Sequence, residues 1–224
     1  MAESMPPCVR VFIAIVPEPG LIAELKKVQR QLQARLPVGI VRWNIPEQLH
    51  LTLKFLGGIP GERVTDLAAA LDRAGAGIAP FQLALAGVGC FPNAKNPRVI
   101  WVGIDGELHS LRKLQTQIEH ETQHCGDHTE ERSFRPHLTI GRVKALGKGA
   151  GKTGELVERT FIPKLGDWTV RQLHLVQSEL RPEGARYTTL ASALLIGGNA
   201  DVPRARSSPL EGERTESVRG KGEV

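Results

Sequence analysis

Residues 8–16 read CVRVFIAIV, β-branched and apolar up to Pro17 and Pro19, and predict a strand that stops at those prolines. Leu21, Ile22, Leu25, Val28, Leu32 and Leu36 then recur at helical spacing with Lys and Arg opposite them, the pattern of an amphipathic helix over 21–36. Two strands are expected over 38–45 and 49–56, joined through Pro46, with Gly57, Gly58 and Pro60 ending the second, and a helix over 62–74 follows. Residues 81–89 and 99–104 are strand-like and flank a turn-rich connection, FPNAKNP, suited to a hairpin loop or a lip over a site. A third helix is expected over 108–124. Strand character returns over 134–143, 157–162, 170–180 and 187–196.

Short strands adjacent in sequence, mixed with three helices, predict an α+β protein with mainly antiparallel sheet. No glycine fingerprint of a doubly wound nucleotide-binding fold is present. The order of elements is faintly duplicated: strand and helix precede a strand carrying His50, and strands and helix precede a strand carrying His137. Two quasi-equivalent lobes would follow.

At 224 residues and 24.4 kDa the chain has length for a substantial core, and 41% hydrophobic with 24% charged residues is ordinary for a globular protein. Cys8, Cys90 and Cys125 are too few and too scattered for a disulfide framework, so a reducing, cytoplasmic setting is expected. No basic segment leading into an apolar run marks a signal, and no stretch approaches the roughly 20 apolar residues of a membrane helix. A protein without membrane attachment, working as a monomer, is expected. The net charge of +5 and pI near 9.3 are compatible with a polyanionic partner. From residue 199 onward five basic residues balance five acidic ones without apolar periodicity. A disordered tail over 198–224 is therefore expected behind a folded unit of 9–197, which carries the whole positive excess.

One four-residue pattern occurs twice: His50-Leu51-Thr52-Leu53 and His137-Leu138-Thr139-Ile140. On a strand each copy puts His and Thr on one face and two aliphatic residues on the other, so that one face packs and the other is free for chemistry. A single copy reads more naturally as structural. The residue frequencies of this chain give about 0.06 chance matches, so two copies point to function. Two imidazoles with ordinary pKa near 6.5 can hold opposite protonation states near neutrality, one as base and one as acid. Facing each other across a groove, they would flank a phosphorus, while the threonine hydroxyls bind its non-bridging oxygens. No metal or other cofactor is needed, and a strained cyclic phosphate is a suitable substrate. Arg142 is a further candidate for neutralising phosphate charge. Strand alternation gives it the parity of Ile140, so it would have to reach the phosphate from the strand end or across a twist.

The segments RWNIPEQLHLTLKFLG and FRPHLTIGR closely resemble the two signature strands of the 2H phosphoesterases, specifically the RNA 2′,3′-cyclic phosphodiesterases, also called 2′-5′ RNA ligase-like proteins. RVFIAIVP, GVGCFPNAKNPRVIWVG and LHLVQSELRPEGARYTTL resemble that group too, so that the likeness covers nearly all of 9–196. It implies a bilobal, pseudo-twofold fold with two mainly antiparallel sheets flanked by helices and the active site in the groove between lobes. It implies hydrolysis of RNA 2′,3′-cyclic phosphate ends to a 2′-phosphomonoester, and in some members the making or breaking of 2′-5′ linkages. By position, His50 is similar to the family's proton donor and His137 to its proton acceptor, with Thr52 and Thr139 as phosphate binders. The tail is not explained by the resemblance.

Other readings compete. A relative acting on a small cyclic phosphate of the ADP-ribose type, or a non-catalytic RNA-binding module on the same fold, fits the same strands. His120-Glu121-Thr122-Gln123-His124 matches the HExxH zinc pattern, but Leu111, Leu114 and Ile118 share the opposite helix face, which leaves both histidines in solvent. His128 is badly spaced as a third ligand. Residues 147–153, GKGAGKT, imitate a phosphate-binding P-loop with failed spacing and read as a flexible glycine loop. Lys144, Lys148 and Lys152 around it could touch an RNA backbone. Trp43, Phe55 and Tyr187 could stack on a base or belong to the core.

Overall fold

The computed structural model describes residues 8–125, 133–144, 148–182 and 184–198. The expected tail from residue 199 onward and His128 lie outside the described residues. The first apolar run forms β1 (Cys8–Ile15), whose Val11, Ile13 and Ile15 point into the main core. Phe12 and Ala14, of opposite parity, are buried in a separate small cluster with Val176. α1 (Pro19–Gln33) starts with proline in its first turn, where the missing N–H costs nothing, and buries Leu21, Leu25, Val28 and Leu32. β2 (Val41–Trp43) and a 3₁₀ turn over Pro46–Gln48 lead into β3 (Leu51–Pro60), and a second 3₁₀ turn leads into α2 (Val64–Gly75). β4 (Phe81–Phe91) and β5 (Val99–Gly106) form a hairpin around the FPNAKNP connection, followed by α3 (Leu108–Glu121) and β6 (His137–Val143). α4 (Lys148–Glu158), β7 (Asp167–Val170), β8 (Gln172–Arg181) and β9 (Gly184–Leu194) complete the described chain.

The strands make one nine-stranded sheet in the order β7-β4-β5-β6-β3-β1-β8-β9, with β2 added on β6, and every pairing in it is antiparallel. The order is symmetric about its middle. Along that path each half holds four strands with an HxT strand on its inner edge, β2 being a fifth in the β6 half, and the halves meet through Leu51 opposite Leu138. The expected α+β, two-lobed architecture is present, its two sheets being the halves of one sheet joined at that pair. The helices supply Leu25, Leu67, Leu71, Leu111, Leu114 and Ile118 to a single core on one face. The other face carries His50, Thr52, His137 and Thr139.

Four local expectations are corrected. The run over 157–162 is not a strand, and the glycine stretch before it is not a loop: 148–158 is α4. Thr153, Val157 and Thr160 are all buried, spaced four and three residues apart, a helical period hidden by their β-branched composition. Glycine is required there because a Cβ on Gly154 would collide with the Ala94 carbonyl, and Gly151 also lies close over Lys95. The run over 170–180 breaks at Arg171: β7 pairs with β4 in one half, while β8 pairs with β1 in the other. Gly57 and Gly58 do not end β3. Gly57 adopts φ +75° where the β1–β3 register shifts, and the strand continues to Pro60.

Candidate active site

The Leu51–Leu138 pairing arranges the site. Around an antiparallel pair the flanking residues come opposite in reverse order, so His50 lies beside Thr139 and Thr52 beside His137. Leu51, Leu53, Leu138 and Ile140 are buried, whereas the two histidines and two threonines are half-buried and line a single cleft.

Both HxT strands carry a bulge at the aliphatic residue after the threonine. On β3, Thr52 pairs with Ala14 and Lys54 with Ile13, which leaves Leu53 without a β1 partner. On β6, Thr139 pairs with Trp101 and Gly141 with Ile100, which leaves Ile140 without one. A bulge adds one residue and reverses the alternation beyond it. The fifth residue after each histidine, Phe55 and Arg142, is thereby brought to the cleft, and both line it. This corrects the parity expected for Arg142: the extra residue at Ile140, not the strand end, turns it to the cleft. On β3 the same inversion sends Lys54 to the other face, where it is nearly buried and pairs with Glu119 at 2.6 Å.

The bulge on β6 is clamped from α1. Gln29, only 4% exposed, donates from Nε2 to the carbonyls of Ile140 (2.9 Å) and Asn44 (2.8 Å). The Asn44 backbone N–H also donates to the Ile140 carbonyl, and its Nδ2 donates to that of Thr139 at 2.8 Å. The Thr139 and Ile140 carbonyls at the bulge are thus satisfied, as burial demands.

Each histidine is oriented in the same way. Nδ1 of His50 lies 2.8 Å from the Gln48 carbonyl, and Nδ1 of His137 lies 2.6 Å from the Arg135 carbonyl. A carbonyl oxygen only accepts, so Nδ1 carries the proton in both rings and Nε2 is left for exchange with a bound molecule. The Phe12 ring stacks on His50 (centroids 4.6 Å apart) with Tyr187 edge-on at 5.2 Å, and Phe91 stands edge-on to His137 at 4.8 Å. Burial among these rings is the main cause that lowers the pKa of both histidines. The hydrogen bond to Gln48 or Arg135 opposes the shift. The charge of His137 lowers His50 further, and that of Arg142 lowers His137 further.

Arg10 and Arg42 join Arg142 in the cleft, and no Asp or Glu is among its described lining residues. Sequence reasoning singles out neither Arg10 nor Arg42. Arg42 stands in the segment RWNIPEQLHLTLKFLG, but only the register of the three-residue β2 reveals that it faces Arg142. Of the aromatic candidates, Phe55 and Tyr187 line the cleft, whereas Trp43 packs over Gly141 against the core. Lys144 and Lys152 are exposed outside it. In the HExxH segment α3 ends at Glu121, His120 and His124 are exposed, and Glu121 is held by Arg73 at 2.6 Å.

The match to known proteins is extensive. Residues 15–101 fit the model of the LigT-like phosphoesterases. The chain is 31% identical over 182 residues to an RNA 2′,3′-cyclic phosphodiesterase of Methanothermobacter thermautotrophicus, covering 81% of this chain and 96% of that protein. It is 32% identical over 190 residues to one of Thermotoga maritima, covering 84% and 97%. Among solved structures, a Thermus thermophilus protein superposes with TM-score 0.67 at 32% identity, over 84% of this chain and 98% of that one. E. coli LigT complexed with 3′-AMP gives 0.65 at 25%, over 84% and 99%. A two-lobed antiparallel sheet with an HxT strand at each inner edge defines a 2H phosphoesterase. The chain belongs to the LigT-like phosphoesterase family within that class.

Proposed function

We propose that this enzyme hydrolyses RNA 2′,3′-cyclic phosphate ends to 2′-phosphomonoesters, with His137 as general base and His50 as general acid. The observation that carries this reading is the matched pair of histidines in one cleft, each with Nδ1 tied to the carbonyl two residues back and with no hydrogen bond to Nε2 and no lining carboxylate among the described residues. Thr52 and Thr139 donate to the non-bridging oxygens, and Arg142 adds charge that follows the phosphate into the transition state. His137 Nε2 takes a proton from water as the water oxygen bonds to phosphorus. The bond from phosphorus to the 3′ oxygen breaks, and His50 Nε2–H protonates that oxygen. The products are a 3′-hydroxyl and a 2′-phosphomonoester, and exchange with solvent returns both rings to their starting states. An RNA 5′-hydroxyl in place of water would give a 2′-5′ linkage by the same transfers.

The Arg142 guanidinium favours neutral His137, as a base requires. The negative charge of a bound phosphodiester supplies the counter-charge that favours a protonated His50. The reaction uses no metal or other cofactor. The working unit is 9–197, acting as a monomer, with 198–224 as a tail outside the reaction. The three free cysteines suit a reducing cytoplasm, and among the described residues no helix is long and apolar enough to cross a membrane.

The test is product analysis by phosphorus NMR on an oligoribonucleotide with a 2′,3′-cyclic end, in EDTA. A 2′-phosphomonoester formed at an undiminished rate is expected. A 3′-phosphate product would overturn the assigned leaving oxygen, and no turnover until metal is added would overturn the metal-free reaction.

A further inference from the structure

We propose that Arg42, with one edge of Arg142, forms a second anion subsite that holds the phosphodiester immediately 5′ of the terminal nucleotide. Arg42 thereby makes an RNA end a better ligand than a mononucleotide. This deepens the reaction proposed above and rests on it for the identity of the first subsite.

Arg42 on β2 is directly opposite Arg142 on β6, between the pairs Val41–Val143 and Trp43–Gly141. Directly opposed residues on antiparallel strands have Cβ atoms about 5 Å apart, and like charges so placed destabilise the sheet. Among the described residues no carboxylate forms an ion pair with either guanidinium, and none lines the cleft. Both side chains are exposed and both line the cleft. The bulge at Ile140 creates this arrangement, because regular alternation would turn Arg142 to the face opposite Thr139. Two cations are therefore held side by side with no described carboxylate to neutralise them.

The reacting phosphate does not need both. A cyclic phosphodiester has two non-bridging oxygens, and the hydroxyls of Thr52 and Thr139 already address them. Each guanidinium brings five further N–H donors. The Arg42–Arg142 row also lies two ladder steps from Thr139 as counted on β5, from Trp101 to Val99, or about 7 Å. That spacing suits a neighbouring phosphate better than the same one.

The cleft is also unlike at its two ends. The fifth residue after His137 is Arg142, but the fifth after His50 is Phe55, which stands with Tyr187 and Leu180. Pseudo-symmetry has been broken so that the first end holds two adjacent cations, whereas the second sets these apolar groups beside a single cation, Arg10, opposite Gly58. A strand of RNA with its backbone on the first end and its terminal base toward the second fits that polarity.

The test uses the full chain and a diadenylate ending in a 2′-phosphate, compared with the same molecule carrying an uncharged methylphosphonate between its nucleosides. Wild-type protein is expected to bind the charged linkage at least tenfold more tightly. Arg42→Ala is expected to bring that ratio close to one and to reduce the salt slope of binding by about 0.7, one single-strand phosphate contact. Arg42→Lys should retain part of the preference. Loss of like-charge repulsion should leave the Tm of Arg42→Ala equal to or above that of wild type, whereas a structural arginine would lower it. A wild type indifferent to the linkage charge, or a preference that survives in Arg42→Ala, overturns the subsite. Because binding is read without turnover, an enzyme that discriminates the linkages yet leaves cyclic ends intact would refute the proposed reaction and not this subsite.

Discussion

Leu51 and Leu138 face each other, fully buried, at the pairing that joins the two halves of the sheet. Each is flanked by the histidine and threonine of its own strand, so this apolar contact sets the spacing of four polar side chains on the opposite face. Leu51→Ala or Leu138→Ala removes packing in a core that closes only partly around a lost side chain. Each is expected to cost about 2–5 kcal/mol in denaturant titration. Each should also lower kcat/KM under conditions where the variant remains folded, because both HxT strands lose their common spacer. Full activity in a destabilised but folded Leu138→Ala protein would show that the contact does not set the geometry.

The lowered pKa of both histidines makes a signed prediction. The proposed reaction needs His137 neutral and His50 protonated, and both groups titrate below their ordinary 6.5. The kcat/KM profile, which reports the free enzyme, should be a bell centred on the acid side of pH 6.5. The kcat profile should lie at higher pH, since the bound anion favours both imidazolium forms. Arg142→Ala removes a cation beside His137 and should move the acid limb of kcat/KM to higher pH. Rate measurements from about pH 4.5 to 9, on wild type and variant, check all three directions.

Gln29 is absent from the cleft lining, yet its two donated hydrogen bonds hold the strand at the bulge that presents Thr139 and Arg142. Gln29→Leu leaves the Asn44 carbonyl and half of the Ile140 carbonyl's bonding unmet. An expected cost is about 1–3 kcal/mol. Gln29→Glu should be worse, since an ionised carboxylate only accepts and would face two carbonyls. In both variants KM should rise and the acid limb of the kcat/KM bell should move to higher pH, as in Arg142→Ala, because the clamp sets where Thr139 and Arg142 stand. An unchanged KM with an unmoved bell would contradict this role.

Much of the site is legible in the sequence because strand alternation is local. His50 with Thr52, and His137 with Thr139, can be assigned to a shared face from spacing alone, and burial of Leu51, Leu53, Leu138 and Ile140 bears that out. What alternation cannot reveal are its interruptions. The bulges at Leu53 and Ile140 depend on the neighbouring strands β1 and β5, and no residue type at those positions announces them. Alternation alone therefore gives Arg142 the wrong parity, and Arg42 escapes notice because its partner lies 100 residues away and is defined only by register. α4 is hidden for a different reason. Its glycines and β-branched residues oppose helix formation locally, and what selects the helix is close packing of Gly151 and Gly154 on the 94–95 backbone. The break at Arg171 is likewise a tertiary event, in which one apolar run serves both halves of the sheet.

The division of labour between the two histidines is tested most directly by a substrate whose leaving atom needs no proton. In a cyclic ester with sulfur replacing the 3′ bridging oxygen, the departing thiolate is stable unprotonated. His50→Ala and His137→Ala should each lose about 10²–10⁴-fold in single-turnover rate on the all-oxygen substrate. On the sulfur substrate His50→Ala should recover most of that loss, while His137→Ala should recover none. Recovery by His137→Ala instead, or equal losses for both variants on both substrates, would contradict the assignment of His50 as acid and His137 as base.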